Sequence, residues 1–414
     1  MEKIRIVRSI ALFATVSVVL VFTFALNAFG ASVSGEPIKV GCNYPMTGPS
    51  AADGEEFISG MTLAVEEINE KGGLLGRPLE IEVADTGSFT PEEVATAARI
   101  LIEAGVDFVC TGYSAAPADY HAFGKYDVPY FQLDTNSSGI RAYQENRQQY
   151  WNVVEIDPTE VEYGPAAFKA FTQLISHEYP NKKVAVLTED WDYSASISNS
   201  FKAAATSAGW EVVVDEKHSF GATEFGVQLT KIRKNNPSII FFSTFAPVEA
   251  VAFLRGFLMK PTKSLVYIQY APSVPEFMDL LGSSANGVVW QVCSSYLPGK
   301  RSQEWVERHK KRFGRAPGFC NASGVYDGVN MWAEAVRNVG DVKDYRGIVK
   351  YVIEHPYNGL NGRYVIDPNT QCALPGDDAI PMHFYQIQNG KHVLLYLGKR
   401  AMEGVGFVTP PWLR

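Results

Sequence analysis

The sequence has little cysteine and lacks the common short motifs of metal and nucleotide chemistry. Its five cysteines in 414 residues form no C-x-x-C pair, so a zinc site or a thioredoxin-like redox motif has no support. It contains no H-E-x-x-H, P-loop or G-x-G-x-x-G segment, which leaves metalloprotease, nucleotide and dinucleotide chemistry without a basis. We therefore expect neither a metal nor a cofactor.

Positive charge is also in short supply. The chain has 37 Lys and Arg residues against 45 Asp and Glu, which gives a formal net charge of −8. No local Lys/Arg cluster reverses this balance, so we expect no nucleic-acid partner. The remaining composition, 46% hydrophobic and 20% charged residues, is ordinary for a folded globular protein.

The first 30 residues match the pattern of a cleaved export signal. Basic residues at positions 3, 5 and 8 precede an apolar run from Ile10 to Leu26, and small residues follow at 28, 30 and 31. A transmembrane anchor is the alternative, because this run approaches the length of a membrane span, but its alanine-rich end favours cleavage. We predict a signal peptide over residues 1–30 and a mature protein in the periplasm.

Strand-like and helix-like segments alternate along the rest of the chain, as in a parallel sheet with crossover helices. The predicted strands are 38–44, 79–85, 107–112, 128–133 and 151–155, followed by 183–188, 211–216, 238–243, 264–269 and 287–292. One sheet of ten strands would be unusual, whereas two sheets of about five are routine. The sequence therefore predicts an α/β fold with two doubly wound parallel-sheet lobes.

The chain is expected to pass between these lobes several times. Residues 302–354 read as mostly helical and residues 361–400 as short strands joined by turns. We assign 38–156 plus 294–360 to lobe I and 157–293 plus 361–400 to lobe II. Several crossings make a hinge, and the cleft between two lobes is a favoured place for a ligand.

Cysteine pairing stays open at this point. Disulfides are allowed in an oxidising compartment, and Cys42 and Cys110 lie near the ends of strands expected to be neighbours. Cys320 and Cys372 are the other possible pair, which would leave Cys293 free. That all five are reduced core residues is an equally good interpretation.

Polar loops follow three strands of the first lobe, at the edge where open parallel sheets bind ligands. The candidate residues in and near these loops are Asp53, then Tyr113, Ser114 and Ala115, then Asp134, Thr135 and Asn136. Hydroxyls and N–H groups at helix starts would hold a carboxylate or a similar group. Each loop alone is better explained by plain helix capping, but three loops at one edge favour a site.

Aromatic residues follow strands of the second lobe. They are Trp191, Tyr193, Phe245 and Tyr270. A single aromatic at a strand end is often a core residue, but aimed into a cleft these side chains would form its apolar walls.

A secreted hydrolase is the enzymatic alternative. Residues 112–116 approach the G-x-S-x-G nucleophile elbow, with Ser114 as the nucleophile and Asp327 and His383 or His392 downstream. The final glycine of the motif and an HGGG-like segment are both missing. We therefore predict that the protein is not an enzyme.

Several long segments resemble a known family. They are IKVGCNYPMTGP (38–49), GMTLAVEEINEKGGLLGRPLEIEVADTGSFTPEEV (60–94), FVCTGYSAAP (108–117) and GVYDGVNMWAEAV (324–336). Together they resemble the branched-chain amino-acid-binding (Leu/Ile/Val) family, the type I periplasmic solute receptors of ABC importers. The resemblance covers nearly the whole mature chain, and its most specific short signature is KGGLLG at 71–76.

This resemblance implies a two-lobed, hinged, monomeric receptor without catalysis. It would capture a small polar ligand, an amino acid or a related amide or carboxylic acid, and deliver it to an ABC permease in the inner membrane. A ligand-sensing module that reports to a membrane signalling partner is a further alternative. Carried onto this chain, the family's carboxylate grip falls on Ser114, Ala115, Asp134, Thr135 and Asn136. Further ligand contacts fall on Asp53, Tyr193 and Phe245.

One departure from the family bears on the ligand. The family's amino-acid binders pair the ligand's ammonium with a second-lobe acid, but this chain has Gln269 and Tyr270 at that place. Ala115 also lacks a hydroxyl, and Asp134 would repel an anion. Since a buried ammonium without a partner is expensive, either Asp53 or Asp134 is the counter-charge or the ligand is not a standard α-amino acid.

Overall fold

The computed structural model describes residues 33–113, 115–134 and 136–414. The predicted signal peptide, Ser114 and Thr135 lie outside the described residues. Within the described part, no helix combines the length and the apolar character needed to cross a membrane.

The first sheet carries five parallel strands in the order β2-β1-β3-β4-β5. The strands are β1 (Ile38–Tyr44), β2 (Leu79–Asp85), β3 (Phe108–Cys110), β4 (Tyr130–Gln132) and β5 (Val153–Glu155). The helices between them are α1 (Ala51–Glu70), α2 (Pro91–Glu103), α3 (Ala118–Phe123) and α4 (Ser137–Glu145). Thr90 begins α2 with a capping box to Glu93, which satisfies two backbone donors at the helix start.

The second sheet repeats this order as β7-β6-β8-β9-β10. Its strands are β6 (Lys183–Glu189), β7 (Glu211–His218), β8 (Ile239–Ser243), β9 (Leu265–Ile268) and β10 (Val289–Val292). Its helices are α5 (Tyr163–Lys169), α6 (Asp192–Ser207), α7 (Gly226–Asn235), α8 (Pro247–Met259) and α9 (Pro275–Leu281). Its core is aromatic: Phe241 of β8 stacks on Phe201 of α6 with ring centroids 3.9 Å apart.

The C-terminal part of the chain adds to both lobes. Its elements are α10 (Lys300–Phe313), α11 (Asn321–Val339), α12 (Tyr345–Glu354), β11 (Tyr357–Asn358), β12 (Arg363–Tyr364), β13 (Ile366–Asp367), β14 (Cys372–Ala373), β15 (His383–Gln388), β16 (Lys391–Leu397) and β17 (Arg400–Ala401). The helix α11 packs on the first sheet, where Trp332 stacks on Phe108 at 4.5 Å. The strands β15, β16 and β17 extend the second sheet antiparallel beside β10.

The predicted α/β fold with two doubly wound sheets is confirmed, and all ten predicted strands are present with shorter ends in several cases. The assignment of residues 361–400 to lobe II is wrong for 366–373. The hairpin β13–β14 joins the first sheet, because Cys372 of β14 pairs in parallel with Glu155 of β5. The turns in this segment predict a hairpin but carry no signal about which sheet edge it meets.

The described chain passes between the two lobes at three places. The crossing segments are 156–162 between β5 and α5, 293–299 between β10 and α10, and 374–382 between β14 and β15.

All five cysteines are buried free thiols, so neither the Cys42–Cys110 nor the Cys320–Cys372 disulfide is formed in this structure.

A close approach of backbones joins α1 to α11. A Cβ atom added at Gly60 of α1 would lie 2.1 Å from the carbonyl oxygen of Ala322 at the start of α11. The contact therefore requires glycine at this position. Because α11 begins beside the cleft, this packing also fixes the position of its first residues.

We expect the substitution Gly60→Ala to lower the free energy of unfolding by about 1–3 kcal/mol, since the two helices must separate. An unhindered Gly→Ala change inside a helix instead favours the fold by about 0.5–1 kcal/mol. Gly226→Ala is the control for an added methyl group without a clash, because no atom lies within 4 Å of a Cβ at this first residue of α7; its stability should change little. Urea unfolding of both variants measures the difference, and equal stability of the two would contradict the packing argument.

Candidate functional site

The carboxyl ends of the strands in both sheets meet at one cavity between the lobes. Strand order reverses between β1 and β3 in the first sheet and between β6 and β8 in the second, and ligands bind at such switch points. The cavity has a volume of about 40 Å³. It is lined by Phe57, Tyr113, Leu133, Asp134, Asp157, Tyr163, Trp191, Tyr193, Phe245, Tyr270, Val292, Cys293, Ser294, Cys320 and Asn321.

The first-lobe wall is built from loops that follow strands. Tyr113 comes after β3, and Leu133 and Asp134 come after β4. Asp134 is 7% exposed, and its Oδ2 accepts a hydrogen bond from the N–H of Ala116 at 2.9 Å. This bond ties the loop after β3 to the loop after β4, so the two loops form one surface.

The second-lobe wall is aromatic. Trp191 and Tyr193 follow β6, and Phe245 follows β8. The Phe245 ring lies 6.1 Å from the Trp191 ring and 6.2 Å from the Tyr193 ring. It also lies 5.5 Å from the ring of Tyr113 in the first lobe. The lobes are therefore in direct contact, and the structure is a closed arrangement.

The crossing segments form the floor of the cavity. Asp157 lies on the first crossing, and its Oδ2 accepts a hydrogen bond from Ser294 Oγ of the second crossing at 2.9 Å. Beside them, the N–H of Cys293 donates to the Tyr163 hydroxyl at 2.7 Å. Burial raises the pKa of Asp157 to about 7, although the bond from Ser294 acts in the opposite direction.

A hydrogen-bonded cluster of Asp53, Tyr270 and Asn321 joins the lobes across the cleft. Tyr270 Oη lies 2.8 Å from Asp53 Oδ1 and 2.8 Å from Asn321 Oδ1, and Asn321 Nδ2 donates to Asp53 Oδ1 at 2.7 Å. Burial raises the pKa of Asp53 to about 7, while the hydrogen bonds from Tyr270 and Asn321 lower it. The Tyr113 hydroxyl is near enough to lower this pKa as well, although its geometry falls short of a full hydrogen bond.

Tyr270 holds its position through an unusual backbone. Its φ of +55° and ψ of −53°, with the N–H of Ala271 donating to the carbonyl of Gln269 at 2.6 Å, form a tight γ-turn. Such a conformation costs about 1–3 kcal/mol and is found most often at functional sites. The turn places the phenol of a second-lobe residue against Asp53 of the first lobe.

Gln269 orients the side chain of Tyr193. It stands at the place where the Leu/Ile/Val-binding family has an acid. Its amide Nε2 donates to the Tyr193 hydroxyl at 3.4 Å, and its oxygen accepts a hydrogen bond from Tyr267. Gln269 itself is fully buried and does not line the cavity. It orients an aromatic residue of the wall instead of presenting a charge.

The predicted site residues divide into four groups. Six line the cavity: Tyr113, Asp134, Trp191, Tyr193, Phe245 and Tyr270. Asp53 adjoins the cavity through Tyr270. Ala115 packs in the core of the first lobe, and Asn136 caps α4 through the N–H of Ser138 at 3.0 Å, so neither lines the cavity. Ser114 and Thr135 lie outside the described residues.

Sequence reasoning missed the floor of the site and the start of α11. The missed lining residues are Phe57, Leu133, Asp157, Tyr163, Val292, Cys293, Ser294, Cys320 and Asn321. Asp157 and Ser294 follow β5 and β10 directly, so the rule used for the other loops would have found them. Cys320 and Asn321 follow no strand and gave no comparable signal.

Asp327 and His383, two residues of the hydrolase alternative, are not paired with each other in the described structure. The carboxylate of Asp327 accepts hydrogen bonds from the N–H groups of Leu360 and Asn361 and from the Tyr364 hydroxyl. His383 Nδ1 lies 2.9 Å from the Pro381 carbonyl, on a strand of the other lobe. Asp327 thus orients no histidine in the described part of the chain.

Comparisons with known proteins agree with this architecture. A family model described as "Periplasmic binding protein" matches residues 37–392. The curated Leu/Ile/Val-binding protein homolog 7 of Brucella melitensis is 24% identical over 397 residues, which is 91% of this chain and 95% of that protein.

Solved structures extend the likeness. A putative branched-chain amino acid ABC transporter protein from Silicibacter pomeroyi has a TM-score of 0.79 and 27% identity, covering 91% of this chain and all of that one. A solute binding protein from R. palustris in complex with benzoate has a TM-score of 0.74 and 18% identity, covering 90% of this chain and 99% of that one. The second likeness shows the shared fold alone.

The raised pKa of Asp53 predicts a pH dependence of stability. Because its folded pKa is about 7 and its unfolded pKa is near 3.9, the folded state holds the extra proton, and stability falls as pH rises through this window. The loss is on the order of 4 kcal/mol at about 1.4 kcal/mol per pKa unit. The variant Asp53→Asn lacks this loss, so its stability relative to the native protein should rise between pH 4 and pH 7.

Urea unfolding at several pH values measures this difference. Asp378→Asn is the control, because Asp378 is exposed and its removal should leave the pH dependence unchanged. A difference between Asp53→Asn and the native protein that stays constant over the window would disprove the prediction.

Proposed function

The chain belongs to the periplasmic binding protein family, and from that premise we propose that it is an exported solute receptor. It captures a small polar molecule between its two lobes and delivers it to an ABC permease in the inner membrane. It acts in the periplasm as a monomer after removal of the leader, and it performs no catalysis.

One observation carries this proposal: the cavity draws its walls from both lobes and its floor from the crossing segments. Tyr113 and Asp134 come from the first lobe, Trp191 and Phe245 from the second, and Asp157 from a crossing. A ligand in this place makes all of its contacts only when the lobes are closed. It therefore stabilises the closed state over the open one, which is the condition for a ligand-driven closure.

The size of the cavity bears on the mechanism. A volume of about 40 Å³ has room for a few water molecules at roughly 10–15 Å³ each, and this is less than an amino acid needs. A ligand therefore enters while the lobes are further apart, and the closed walls adjust around it. The hinge formed by the three crossings is the element that permits this motion.

The proposed ligand is an amino acid or a related amide or carboxylic acid. One relative is named for leucine, isoleucine and valine, and one neighbour was solved with benzoate. The proposed ligand contacts are Tyr113, Ser114, Ala115, Asp134, Thr135, Asn136, Trp191, Tyr193, Phe245 and Tyr270, with Asp53 as support. For Ala115 and Asn136, which do not line the closed cavity, such a contact would have to use the backbone or follow lobe opening.

A thermal-shift screen of residues 31–414 tests the receptor function. The compounds are amino acids, their amides, and aliphatic and aromatic acids. A ligand at a hundred times its Kd stabilises the folded state by about 2.7 kcal/mol, which raises the melting temperature clearly. Failure of every compound to raise it would contradict the proposal.

Trp191→Ala should weaken binding of any compound found by about 5- to 30-fold, since an aromatic wall residue contributes about 1–2 kcal/mol or more to such a site. Trp412→Ala is the matched control, because Trp412 is also half-buried but packs on Phe257, away from the cavity. Calorimetric titration of both variants measures the change. Equal affinities would mean that the ligand lies elsewhere.

A further inference from the structure

The described lining of the cavity carries acidic side chains but no basic ones. Its lining includes two carboxylates, Asp134 and Asp157, and no lysine, arginine or histidine among the described residues that form it. Asp53 adds a third buried carboxyl group beside the wall. Buried charges are normally paired. Since the described lining residues supply no positive charge, it must come from another group.

Among the carboxylates that line the cavity, Asp157 has an oxygen without a hydrogen-bond partner in the described part of the chain. It is 4% exposed, and while its Oδ2 accepts from Ser294, its Oδ1 has no hydrogen-bond partner in the described structure. Asp53 Oδ1 accepts from Tyr270 and Asn321, and its Oδ2 also has no hydrogen-bond partner in the described structure, but Asp53 does not line the cavity. Asp134 lines the cavity and accepts from the Ala116 N–H.

Asp157 also occupies the point where the crossing segments meet. It lies on the first crossing and bonds to Ser294 on the second. Its backbone carbonyl accepts from the Cys372 thiol, at the entry to the third crossing, at 3.2 Å. A charge at this junction is fixed in place by the hinge itself and is within reach of a ligand that touches either lobe.

Aromatic rings complete the surroundings of the cavity. The ring centroids of Tyr163 and Tyr193 lie 6.2 Å apart. The Phe245 ring contacts both Tyr193 and Trp191. The faces of such rings attract cations by about 0.5–2 kcal/mol each. An acid that lines the same cavity as several aromatic rings is a combination that suits an ammonium group better than a carboxylate.

We propose that Asp157 is the counter-ion of a positively charged group on the ligand, so that the receptor selects small molecules bearing a protonated amine. This inference rests on the proposed receptor function and assigns the charge recognition to the hinge rather than to the second lobe. Burial raises the pKa of Asp157 to about 7, which is consistent with a carboxyl group that has no positive partner among the described residues.

The first test compares matched compounds on the native protein. One set is leucine, isocaproate (which lacks the amine) and isoamylamine (which lacks the carboxylate). The other is phenylalanine, hydrocinnamate and phenethylamine. In at least one set the compounds with an amine should bind more tightly than the acid without one by on the order of 100-fold, as expected for a buried charge pair. Calorimetric titration at pH 7.5 gives the affinities.

The second test uses Asp157→Asn, which keeps the side-chain shape and an acceptor for Ser294. It should reduce the affinity for the amine-bearing compound by on the order of 100-fold and leave the affinity for the acid without an amine unchanged or improved. Ser294→Ala is the control, because it removes a hydrogen bond but keeps the carboxylate. Its effect should stay below about 10-fold.

The outcomes separate the inference from the function on which it rests. Binding of isocaproate or hydrocinnamate without preference for the amines would overturn the role of Asp157 and leave the receptor function standing. Equal losses in Asp157→Asn and Ser294→Ala would also overturn it. If no compound of any class bound the native protein, the receptor function itself would fail, and the inference with it. The first test needs no variant, so it decides even if Asp157→Asn does not fold.

Discussion

Negative charge buried between the lobes is the constraint on which the rest of the site depends. Asp53, Asp134 and Asp157 are each 7% exposed or less, and no basic side chain among the described residues lines the cavity they surround. A carboxylate in such a place must find donors, gain a proton or meet a cation. Asp53 Oδ1 has donors in Tyr270 and Asn321, while its Oδ2 has none in the described structure, and Asp53 does not line the cavity. Asp134 has a donor in the Ala116 N–H, and Asp157 is left with an oxygen for the ligand.

Closure of the lobes strengthens the attraction between these carboxylates and a positive charge. Excluding water lowers the local dielectric constant, and a given pair of charges then attracts more strongly. The bond between Tyr270 and Asp53 joins the lobes across the cleft. A net hydrogen bond contributes about 0.5–1.5 kcal/mol, or up to about 3 to a charged group, so this bond alone holds the lobes weakly. Under the proposed receptor function, the ligand supplies the rest of the free energy of closure.

Much of this architecture could be predicted from the sequence, because it depends on local patterns. Alternating strands and helices predict two wound sheets, and residues after strand ends predict the cavity wall, as Tyr113 and Phe245 show. The same rule would have found the floor residues Asp157 and Ser294, but their pairing depends on a contact between segments far apart in the chain. Asp157 meets Ser294 across 137 positions, and no local pattern reports that pairing. For the same reason, the sequence did not predict the position of β14 beside β5.

The position of the charge also determines the order of events in binding. In the resembling family the ammonium meets an acid of the second lobe, so that ion pair forms only as the lobes close. Here Gln269 stands at that place and supports Tyr193, whereas Asp157 lies on a segment that links the two lobes and bonds to a second such segment. Under the proposed role of Asp157, the ion pair forms first, in contact with water and at modest strength. Closure then brings the aromatic wall over it, and exclusion of water strengthens a contact that is already made.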